Sequence, residues 1–223
     1  MKIDHRHHYL LVLDTETTNS LMDNLFYDLG FKVIDTKGRT YERHSFVNAD
    51  IFCDEQNLMQ SAYYKEKIPN YWKDIKNGSR KLATTYTIRK TLFEVIAKYN
   101  ITEISAHNAR FDYRALNLTY RWVTKSKYRF FLPYEIIMWD TLKMAREIIL
   151  PMPSYQKFCK KHNLFTPTGR LSATAENLYR FISKNANFIE SHTGLEDVEI
   201  ESEILIYCLK KGVKNKKLFE KNS

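Results

Sequence analysis

The pattern of apolar and polar residues along the chain begins with one apolar run that ends at two acids. Residues 9–13 read Tyr-Leu-Leu-Val-Leu, and Asp14 and Glu16 follow directly. An uninterrupted run of this kind predicts a strand that is buried on both faces. Side chains alternate along a strand, so Asp14 and Glu16 project to one side and Thr15 to the other. Two carboxylates in one small volume repel each other, which indicates a raised pKa or a bound metal, although a polar turn explains the motif equally well when it is taken alone.

The rest of the pattern alternates strands and helices. Residues 27–35 and 40–47 flank a turn at 36–39, which predicts two antiparallel strands beside the first strand. Two more strands are expected at residues 101–106 and 135–140. Apolar residues at helical spacing predict helices at residues 87–99, 114–118, 141–149, 155–162 with Ser154 as the N-cap, 174–190 and 194–209. This alternation is typical of an α/β fold.

One segment, residues 54–82, differs from the rest of the chain. It is polar, and Pro69 and Gly78 interrupt any long helix. It is also crowded with basic residues and with Tyr63, Tyr64, Tyr71 and Trp72. We expect short helices that form an insertion or a lid. The aromatic side chains fit two roles equally well, which are the stacking of single-stranded bases and a small satellite core.

Composition and charge narrow the class of protein. The chain has 223 residues, of which 43% are hydrophobic, and we expect a single domain at residues 1–212 followed by a basic tail at 213–223. Lys and Arg number 35 against 26 acids, and the net charge of +9 favours a polyanionic partner. The three widely spaced cysteines predict no disulfide framework. This cysteine usage fits a reducing cytoplasm, so we expect a cytoplasmic protein, and because no apolar run approaches the ~20 residues of a membrane span, we expect no membrane partner.

Two further acids follow the ends of predicted elements. Asp112 lies just after the strand at 101–106, and Asp197 lies on the helix at 194–209. Together with Asp14 and Glu16 they carry a formal charge that two divalent cations would balance. Two metal ions about 3.5–4 Å apart can activate a water and stabilise the leaving oxygen of a phosphodiester. Oxygen ligands of this kind suit Mg²⁺ or Mn²⁺.

These residues resemble the motifs of a known family. Asp14-Thr15-Glu16 is similar to the first motif of the DEDD superfamily of 3′–5′ exonucleases, residues 107–112 to the second motif, and residues 192–197 to the third. His192, five residues before Asp197, is similar to the histidine that marks the DEDDh branch of this superfamily. That branch includes bacterial proofreading subunits, ribonuclease T and oligoribonuclease. Residues 139–146 resemble the stretch between the second and third motifs, in which we interpret Asp140 as a supporting residue.

The resemblance implies a ribonuclease H-like fold with a five-stranded mixed sheet and helices on both faces. It also implies Asp14, Glu16, Asp112 and Asp197 as ligands of two divalent cations, Mg²⁺ or Mn²⁺, and His192 as the general base. We further expect four residues of the first two motifs to bind substrate, namely Thr15, Thr17, His107 and Asn108. His107 and Asn108 fit equally well as caps of the helix that follows.

The position of His192 and the departures from the family pattern add two expectations. At about 100° per residue, His192 and Asp197 would point in different directions on one helix, so His192 must lie in the loop before it. The third motif has Thr193, Gly194 and Glu196 where relatives commonly have other residues. In addition, Glu201 lies where relatives usually carry a small or hydroxyl residue, which leaves the metal preference open.

The sequence as a whole indicates a metal-dependent 3′–5′ exonuclease that releases nucleoside 5′-monophosphates from single-stranded DNA or RNA 3′ ends, in proofreading, DNA repair or RNA processing. The alternative is a non-catalytic nucleic-acid-binding or polymerase-associated subunit that retains the fold. A DNA polymerase and a second copy of the chain, forming a homodimer, are the candidate protein partners. The sequence favours the enzyme, because a site that no longer catalyses a reaction need not keep five converging groups.

Overall fold

The computed structural model describes residues 7–18 and 24–212, so the basic tail expected at 213–223 lies outside the described residues. The strands are β1 (Tyr9–Thr17), β2 (Phe26–Asp35), β3 (Thr40–Asn48), β4 (Lys81–Ala83), β5 (Glu103–Ala106) and β6 (Ile137–Asp140). The helices are α1 (Ala49–Phe52), α2 (Gln56–Gln60), α3 (Ile68–Asn77), α4 (Thr85–Tyr99), α5 (Ala109–Thr124), α6 (Thr141–Ile148), α7 (Pro153–His162), α8 (Ala175–Ile182) and α9 (Gly194–Gly212), and a 3₁₀ helix spans Lys65–Lys67. The expected α/β alternation is confirmed.

The strands form one mixed sheet with the order β4-β3-β2-β1-β5-β6. β2 lies between β1 and β3 and is antiparallel to both, so the predicted antiparallel pair stands beside the first strand, whereas β5 runs parallel to β1 and β6 parallel to β5. The sheet has six strands rather than the expected five, because β4 adds parallel to β3 at the edge. β4 has only three residues and only Ala83 of it is buried, so the sequence carries no apolar pattern that would have predicted it.

Helices cover both faces of the sheet, and β1 is buried between them. Leu11 and Leu13 face the core that β1 shares with α4 and α5. Leu10 and Val12 face a second core, to which α6, α7, α8 and α9 contribute. The strand is therefore buried on both faces, as its apolar run predicts. Asp14 and Glu16 continue the alternation that begins with Leu10 and Val12, so they leave the sheet on the side of α9.

The segment 54–82 contains α2, the 3₁₀ helix, α3 and the first residues of β4. It covers a separate cluster of buried side chains composed of Leu25, Tyr27, Val47, Ile51, Phe52, Met59, Ala62 and Tyr71. The satellite-core interpretation is therefore correct for Tyr71. Tyr63 and Trp72, in contrast, are exposed, with relative accessibilities of 72% and 47%.

Several element boundaries differ from the predicted ones. α5 begins at Ala109, so Asp112 lies inside its first turn rather than before the helix. α7 begins at Pro153 with Met152 as its N-cap, not Ser154, because proline fits the first helical position, where no N–H bond is needed. α8 ends at Ile182, well before residue 190, and Lys184 follows with a positive φ. Within the described part of the chain, no helix has the length and apolar character that crossing a membrane requires.

Candidate active site

The first three acids meet where β1 and β5 end. The two strands are parallel, with Leu11 beside Ile104, so their carboxyl ends lie at the same edge of the sheet. β1 carries Asp14 and Glu16 at that end, and α5, which follows β5, carries Asp112 in its first turn. The crevice beyond the carboxyl ends of parallel strands is where ligands bind in open α/β sheets.

Thr15 joins the two elements directly. Its backbone nitrogen and its Oγ1 both donate to Oδ1 of Asp112, at 3.1 and 2.8 Å. Thr15 thus points away from Asp14 and Glu16, as the strand alternation predicts, and towards α5. Its hydroxyl orients Asp112, and this contact is one that the sequence did not predict.

α9 brings the fourth acid from the opposite face of the sheet. Asp197 lies in the first turn of this helix and is buried. The start of the helix is fixed to β2, because the backbone nitrogen of Gly194 donates to Oδ2 of Asp28 at 2.9 Å. The first turn is further closed by the backbone bond from Asp197 to the carbonyl of Thr193, at 3.0 Å.

His192 lies in the loop before α9, as predicted, with a φ of 51°. Ligand atoms of Glu16, His192 and Asp197 all lie within 4.8 Å of one another. Burial lowers the pKa of His192, and the charge of Lys67 lowers it further. Both effects favour the neutral imidazole, which is the form that can accept a proton or bind a metal.

The charge that these acids carry when they ionise is balanced only in part by the protein, through Lys67. Burial and, after it, the charges of nearby carboxylates raise the pKa of Glu16 and of Asp197 to about 8, although the charge of Lys67 opposes both shifts. Burial also raises the pKa of Asp112 to about 7, although the hydrogen bonds from Thr15 oppose this shift. The pKa of Asp14 is raised well above its usual range by burial and by the surrounding acids. A cluster of buried and partly buried oxygen donors, whose charge is balanced only in part, fits divalent cations such as Mg²⁺ or Mn²⁺.

Glu201 is a fifth acid of this cluster. It lies one turn after Asp197 on α9, it is buried, and its Oε2 accepts a hydrogen bond from the backbone nitrogen of His107 at 3.1 Å. Burial raises its pKa well above the usual range, followed by the charges of Asp112 and Asp197. After burial, the charge of Glu201 is the largest cause of the raised pKa of Asp14. The sequence marked Glu201 as unusual, and the structure places it inside the site.

The expected substrate-binding residues take different positions. Thr17 ends β1 and is partly buried. His107 uses both ring nitrogens inside the protein, with Nδ1 2.9 Å from Thr141 Oγ1 and Nε2 2.9 Å from the carbonyl oxygen of Ala173. Asn108 is exposed, has a φ of 67° and makes no side-chain cap for α5. Neither residue therefore caps the helix through its side chain.

Asp140 has a capping role. Its Oδ1 accepts hydrogen bonds from the backbone nitrogens of Leu142 and Lys143, at 3.0 and 3.4 Å, and so forms the N-cap of α6. The same oxygen accepts a bond from the backbone nitrogen of Asn108 at 3.1 Å. Asp140 thus ties the start of α6 to the start of α5, in agreement with its interpretation as a supporting residue.

A buried ion-pair network behind the site was missed by the sequence analysis. Arg80 Nη1 lies 3.0 Å from Oδ2 of Asp28, and Arg80 Nη2 lies 2.8 Å from Oε2 of Glu196. Tyr71 donates its hydroxyl to the same oxygen of Asp28 at 2.8 Å. The segment 54–82 is thereby attached to β2 and to α9. The signal in the sequence was an acid, Asp28, near the start of a predicted strand.

Glu190 lies in the same loop as His192 and was also missed. Burial and, after it, the charge of Glu176 raise its pKa to about 7. Ligand atoms of Glu176, Glu190 and His192 lie within 4.8 Å of one another. Glu176, however, is already paired with Arg180 at 2.8 Å and accepts the backbone nitrogen of Glu190 at 2.8 Å. This second group is therefore best described as the packing of the loop against α8.

The fold that carries this site is similar to that of exonuclease I. E. coli exonuclease I in complex with a 5cy-dT13 oligonucleotide matches with a TM-score of 0.54 and 16% identity, over 96% of this chain and 42% of that chain. The zinc-ion-bound form of the E. coli ExoI–ssDNA complex matches with a TM-score of 0.52 and 14% identity, over 96% of this chain and 42% of that chain. Exonuclease I in complex with the inhibitor BCBP matches with a TM-score of 0.53 and 15% identity, over 95% of this chain and 42% of that chain.

These likenesses concern the fold. The chain spans less than half of the length of the exonuclease I chains that it matches. No family model and no curated protein sequence matches it. The six-stranded mixed sheet with helices on both faces therefore has a ribonuclease H-like fold, and the acids described above lie near the carboxyl end of its central strand β1.

Proposed function

We propose that the protein is a metal-dependent 3′–5′ exonuclease that hydrolyses single-stranded nucleic acid from its 3′ end and releases nucleoside 5′-monophosphates. One observation carries the proposal, which is that Asp14, Glu16, Asp112 and Asp197 converge from three separate elements with His192 beside them. A structural role does not require this arrangement, because the buried acids raise each other's pKa and so destabilise the folded protein.

The four acids are proposed to hold two divalent cations, Mg²⁺ or Mn²⁺. Such cations, when bound, supply activation of the attacking water and stabilisation of the leaving oxygen. The chain itself contributes orientation. The Thr15 hydroxyl on β1 fixes the carboxylate of Asp112, which lies on the α5 face of the sheet. The first turn of α9 fixes Asp197 on the opposite face. The scissile phosphate would therefore be held at the end of β1, between the first turns of α5 and α9.

His192 is proposed to act as the general base, which assigns the protein to the DEDDh branch. A neutral imidazole nitrogen accepts the proton of the attacking water while the water oxygen bonds to phosphorus. The bond between phosphorus and the 3′ oxygen of the preceding nucleotide then breaks, and that oxygen takes a proton from solvent. Burial and Lys67 both lower the pKa of His192 and so keep the base neutral at physiological pH.

The wider assignments are proposals of the same kind. Residues 1–212 form one exonuclease domain, and the net charge of +9 suits a polyanionic substrate. Thr17 at the end of β1 and Asn108, two residues after β5, are proposed to contact a 3′-terminal nucleotide. The backbone N–H groups of Thr15 and His107 are bonded to acids of the site, so these two residues are proposed to act on the substrate through that site. A cytoplasmic location, a DNA polymerase partner and a homodimer are further proposals.

Labelled oligonucleotides test the function. DNA and RNA strands of equal sequence, labelled at the 5′ end, are incubated with Mg²⁺, Mn²⁺ or a chelator. We expect a ladder that shortens from the 3′ end only when a divalent cation is present. The same strands labelled at the 3′ end should release a labelled mononucleotide at once, and circular single-stranded DNA should stay intact. The relative rates on DNA and RNA identify the substrate.

Two results would contradict the proposal. Fragments that arise from internal cuts, or from the 5′ end, would exclude a 3′–5′ exonuclease. Intact oligonucleotides with all cations, combined with tight and salt-sensitive binding of the same strands, would favour the alternative of a non-catalytic binding or polymerase-associated subunit. Asp14→Asn serves as the matched control, because it should remove cleavage in the first case and leave binding unchanged in the second.

A further inference from the structure

His192 occupies a conformation that its own backbone does not favour. Its φ of 51° is in the left-handed region, which residues other than glycine rarely adopt unless their surroundings hold them there. The loop that carries it, residues 190–193, also contributes no regular secondary structure. Within the loop, Oε2 of Glu190 lies 3.7 Å from Nδ1 of His192, and further contacts to the imidazole ring come from elsewhere in the chain.

Two side chains from the segment 54–82 make these contacts. The ring of Tyr64 stacks on the imidazole of His192, with 4.8 Å between ring centroids and an angle of 12° between the planes. Lys67 donates its Nζ to the backbone carbonyl oxygen of His192 at 3.1 Å and to that of Ser191. Nζ of Lys67 also lies 4.2 Å from the centre of the Tyr64 ring. The ring and the backbone of His192 are thus held from one short stretch of chain.

That stretch has a fixed relation to the rest of the site. Met59 and Tyr71, on either side of it, are buried in the satellite core. The hydroxyl of Tyr71 and the backbone nitrogen of Gly194 donate to the same oxygen of Asp28, at 2.8 and 2.9 Å. One carboxylate on β2 therefore aligns the segment with the start of α9, two residues after His192.

We propose that Tyr64 and Lys67, which we call the loop clamp, are positioning residues that hold the imidazole of His192 in its working place. The inference rests on the proposed function of His192 as a base. It gives the segment 54–82 a role in catalysis through His192, rather than through direct contact with the reacting atoms. A displacement of about 1 Å at a catalytic group can cost about 10²-fold in rate.

A double-mutant cycle on turnover tests the clamp. Tyr64→Ala should lower kcat on a short single-stranded oligonucleotide by about 10- to 100-fold with little change in KM, because the base is misplaced and the cations are still held. Tyr64→Phe keeps the stacked ring and should restore kcat. In a His192→Ala background, Tyr64→Ala should have almost no further effect, since both changes act through one group. Tyr86→Ala, at an exposed tyrosine on α4, is the matched control and should match the unchanged protein.

Three outcomes would overturn the inference. Normal turnover in Tyr64→Ala would exclude a positioning role. Additive losses in the double variant would show that Tyr64 acts separately from His192, for example by stacking on a base of the substrate. An increase in KM with an unchanged kcat would likewise show that Tyr64 acts in substrate binding. Lys67→Met and Lys67→Arg provide the second pair, and the arginine, which retains donors for the two carbonyls, should restore turnover.

A measurement without activity separates the clamp from the proposed function. The stacked tyrosine should shift the ring-proton resonance of His192 in the NMR spectrum, and the resonance is assigned by its disappearance in His192→Ala. Tyr64→Ala should move this resonance towards the position of a free histidine, whereas Tyr64→Phe should not. An unmoved resonance would overturn the clamp even if the protein is an exonuclease. A shifted resonance in a protein that cleaves no nucleic acid would support the contact and reject the proposed function.

Discussion

Gly30 on β2 and Gly194 at the start of α9 touch backbone to backbone. A Cβ atom on Gly30 would lie 2.2 Å from the carbonyl carbon of Gly194, and a Cβ atom on Gly194 would lie 2.6 Å from the backbone nitrogen of Gly30. No side chain fits between the two elements. The close approach brings the first turn of α9, and with it Asp197, to the end of β1.

Gly30→Ala should therefore separate α9 from the sheet. We expect the free energy of unfolding to fall by about 3 kcal/mol, the upper part of the range for overpacked sites, because the added methyl group meets backbone rather than a flexible side chain. Cleavage should fall more than 10-fold under conditions in which the variant is fully folded, on the order of the loss for a misplaced catalytic group. Chemical denaturation and single-turnover cleavage measure the two effects.

Gly169→Ala is the control for this change. Its φ is +76°, but nothing lies within 4 Å of the added Cβ atom, so it introduces backbone strain without a collision. It should lower stability and leave cleavage by the folded protein unchanged. Equal losses of cleavage in the two variants would show that the contact between Gly30 and Gly194 does not position the site.

Removal of one acid should separate catalysis from stability. Asp112→Asn keeps an oxygen that can accept the hydrogen bonds from Thr15, and it removes one charge from a site of mutual repulsion. Cleavage should be lost, while the melting temperature without metal should hold or rise. The stabilisation by added Mg²⁺ or Mn²⁺ should shrink, since it depends on cation affinity.

Asp140→Asn is the matched control for Asp112→Asn. Asparagine is about as good an N-cap as aspartate, so α6 should keep its cap and cleavage should persist. If both variants cleave normally with either cation, the assignment of Asp112 as a ligand is wrong. If Asp112→Asn unfolds the protein, its carboxylate has a structural role that the hydrogen bonds from Thr15 alone do not indicate.

The sequence and the structure agree most closely where a pattern is local. The apolar run of β1 and the acids after it predicted both the buried central strand and the crowded carboxylates. The spacing of His192 and Asp197 predicted that the histidine precedes α9, since a single helix could not present both to one point. In each case a rule about neighbouring residues was sufficient.

The parts that the sequence did not predict depend on contacts between distant residues. Tyr64 and His192 are 128 positions apart, and nothing local distinguishes Tyr64 from Tyr63, which is exposed. The ion pair of Asp28 with Arg80 and the short strand β4 likewise arise only when the segment 54–82 packs on the sheet. Glu201 was recognised as unusual from the family pattern, but its burial beside Asp14 required the structure.

Stability without divalent cations should fall as the pH rises. Burial raises the pKa of Asp112 to about 7 and of Glu16 and Asp197 to about 8, whereas in the unfolded chain these groups titrate near pH 4. Between these limits the folded protein binds more protons, so the free energy of unfolding decreases with increasing pH. The lowered pKa of His192 has the opposite effect on stability, but it is one group, whereas several acids have raised pKa values.

We therefore expect the melting temperature in a chelator to fall by about 5 °C or more from pH 5 to pH 8, as a shift of one pKa unit corresponds to about 1.4 kcal/mol. Mg²⁺ or Mn²⁺ should reduce the fall, because bound cations favour the ionised carboxylates. Thermal scans over a pH series with and without cation provide the measurement. A melting temperature that rises with pH in the chelator would contradict the raised pKa values.

Glu201→Gln tests the fifth acid. The glutamine retains an oxygen that can accept the hydrogen bond from the backbone of His107, and it removes the charge that most affects the pKa of Asp14. The pH dependence of stability in the chelator should become shallower. Cation affinity, measured by calorimetry, should decrease about 10-fold, equivalent to about 1.4 kcal/mol of lost attraction.

Glu203→Gln, two residues further along α9 at an exposed position, is the control for Glu201→Gln and should change neither quantity. An increase in cation affinity in Glu201→Gln would mean that the extra acid competes with the cations, for instance by retaining a proton. The comparison of Mg²⁺ with Mn²⁺ then shows whether Glu201 sets the metal preference.

His192→Ala gives the most specific prediction, because it distinguishes a catalytic base from an accidental neighbour of the acids. With saturating cation, cleavage by the unchanged protein should rise with pH as His192 loses its proton. The rise should be complete near neutral pH, since burial and Lys67 lower the pKa of His192 below 6.5.

His192→Ala should lose about 10²- to 10⁴-fold in kcat, with little change in KM. The loss should become smaller as the pH increases, because hydroxide replaces the missing base. A variant with normal turnover and the same pH profile would exclude His192 as the base, and a collapse of cation binding would identify it instead as a ligand shared with Glu16 and Asp197.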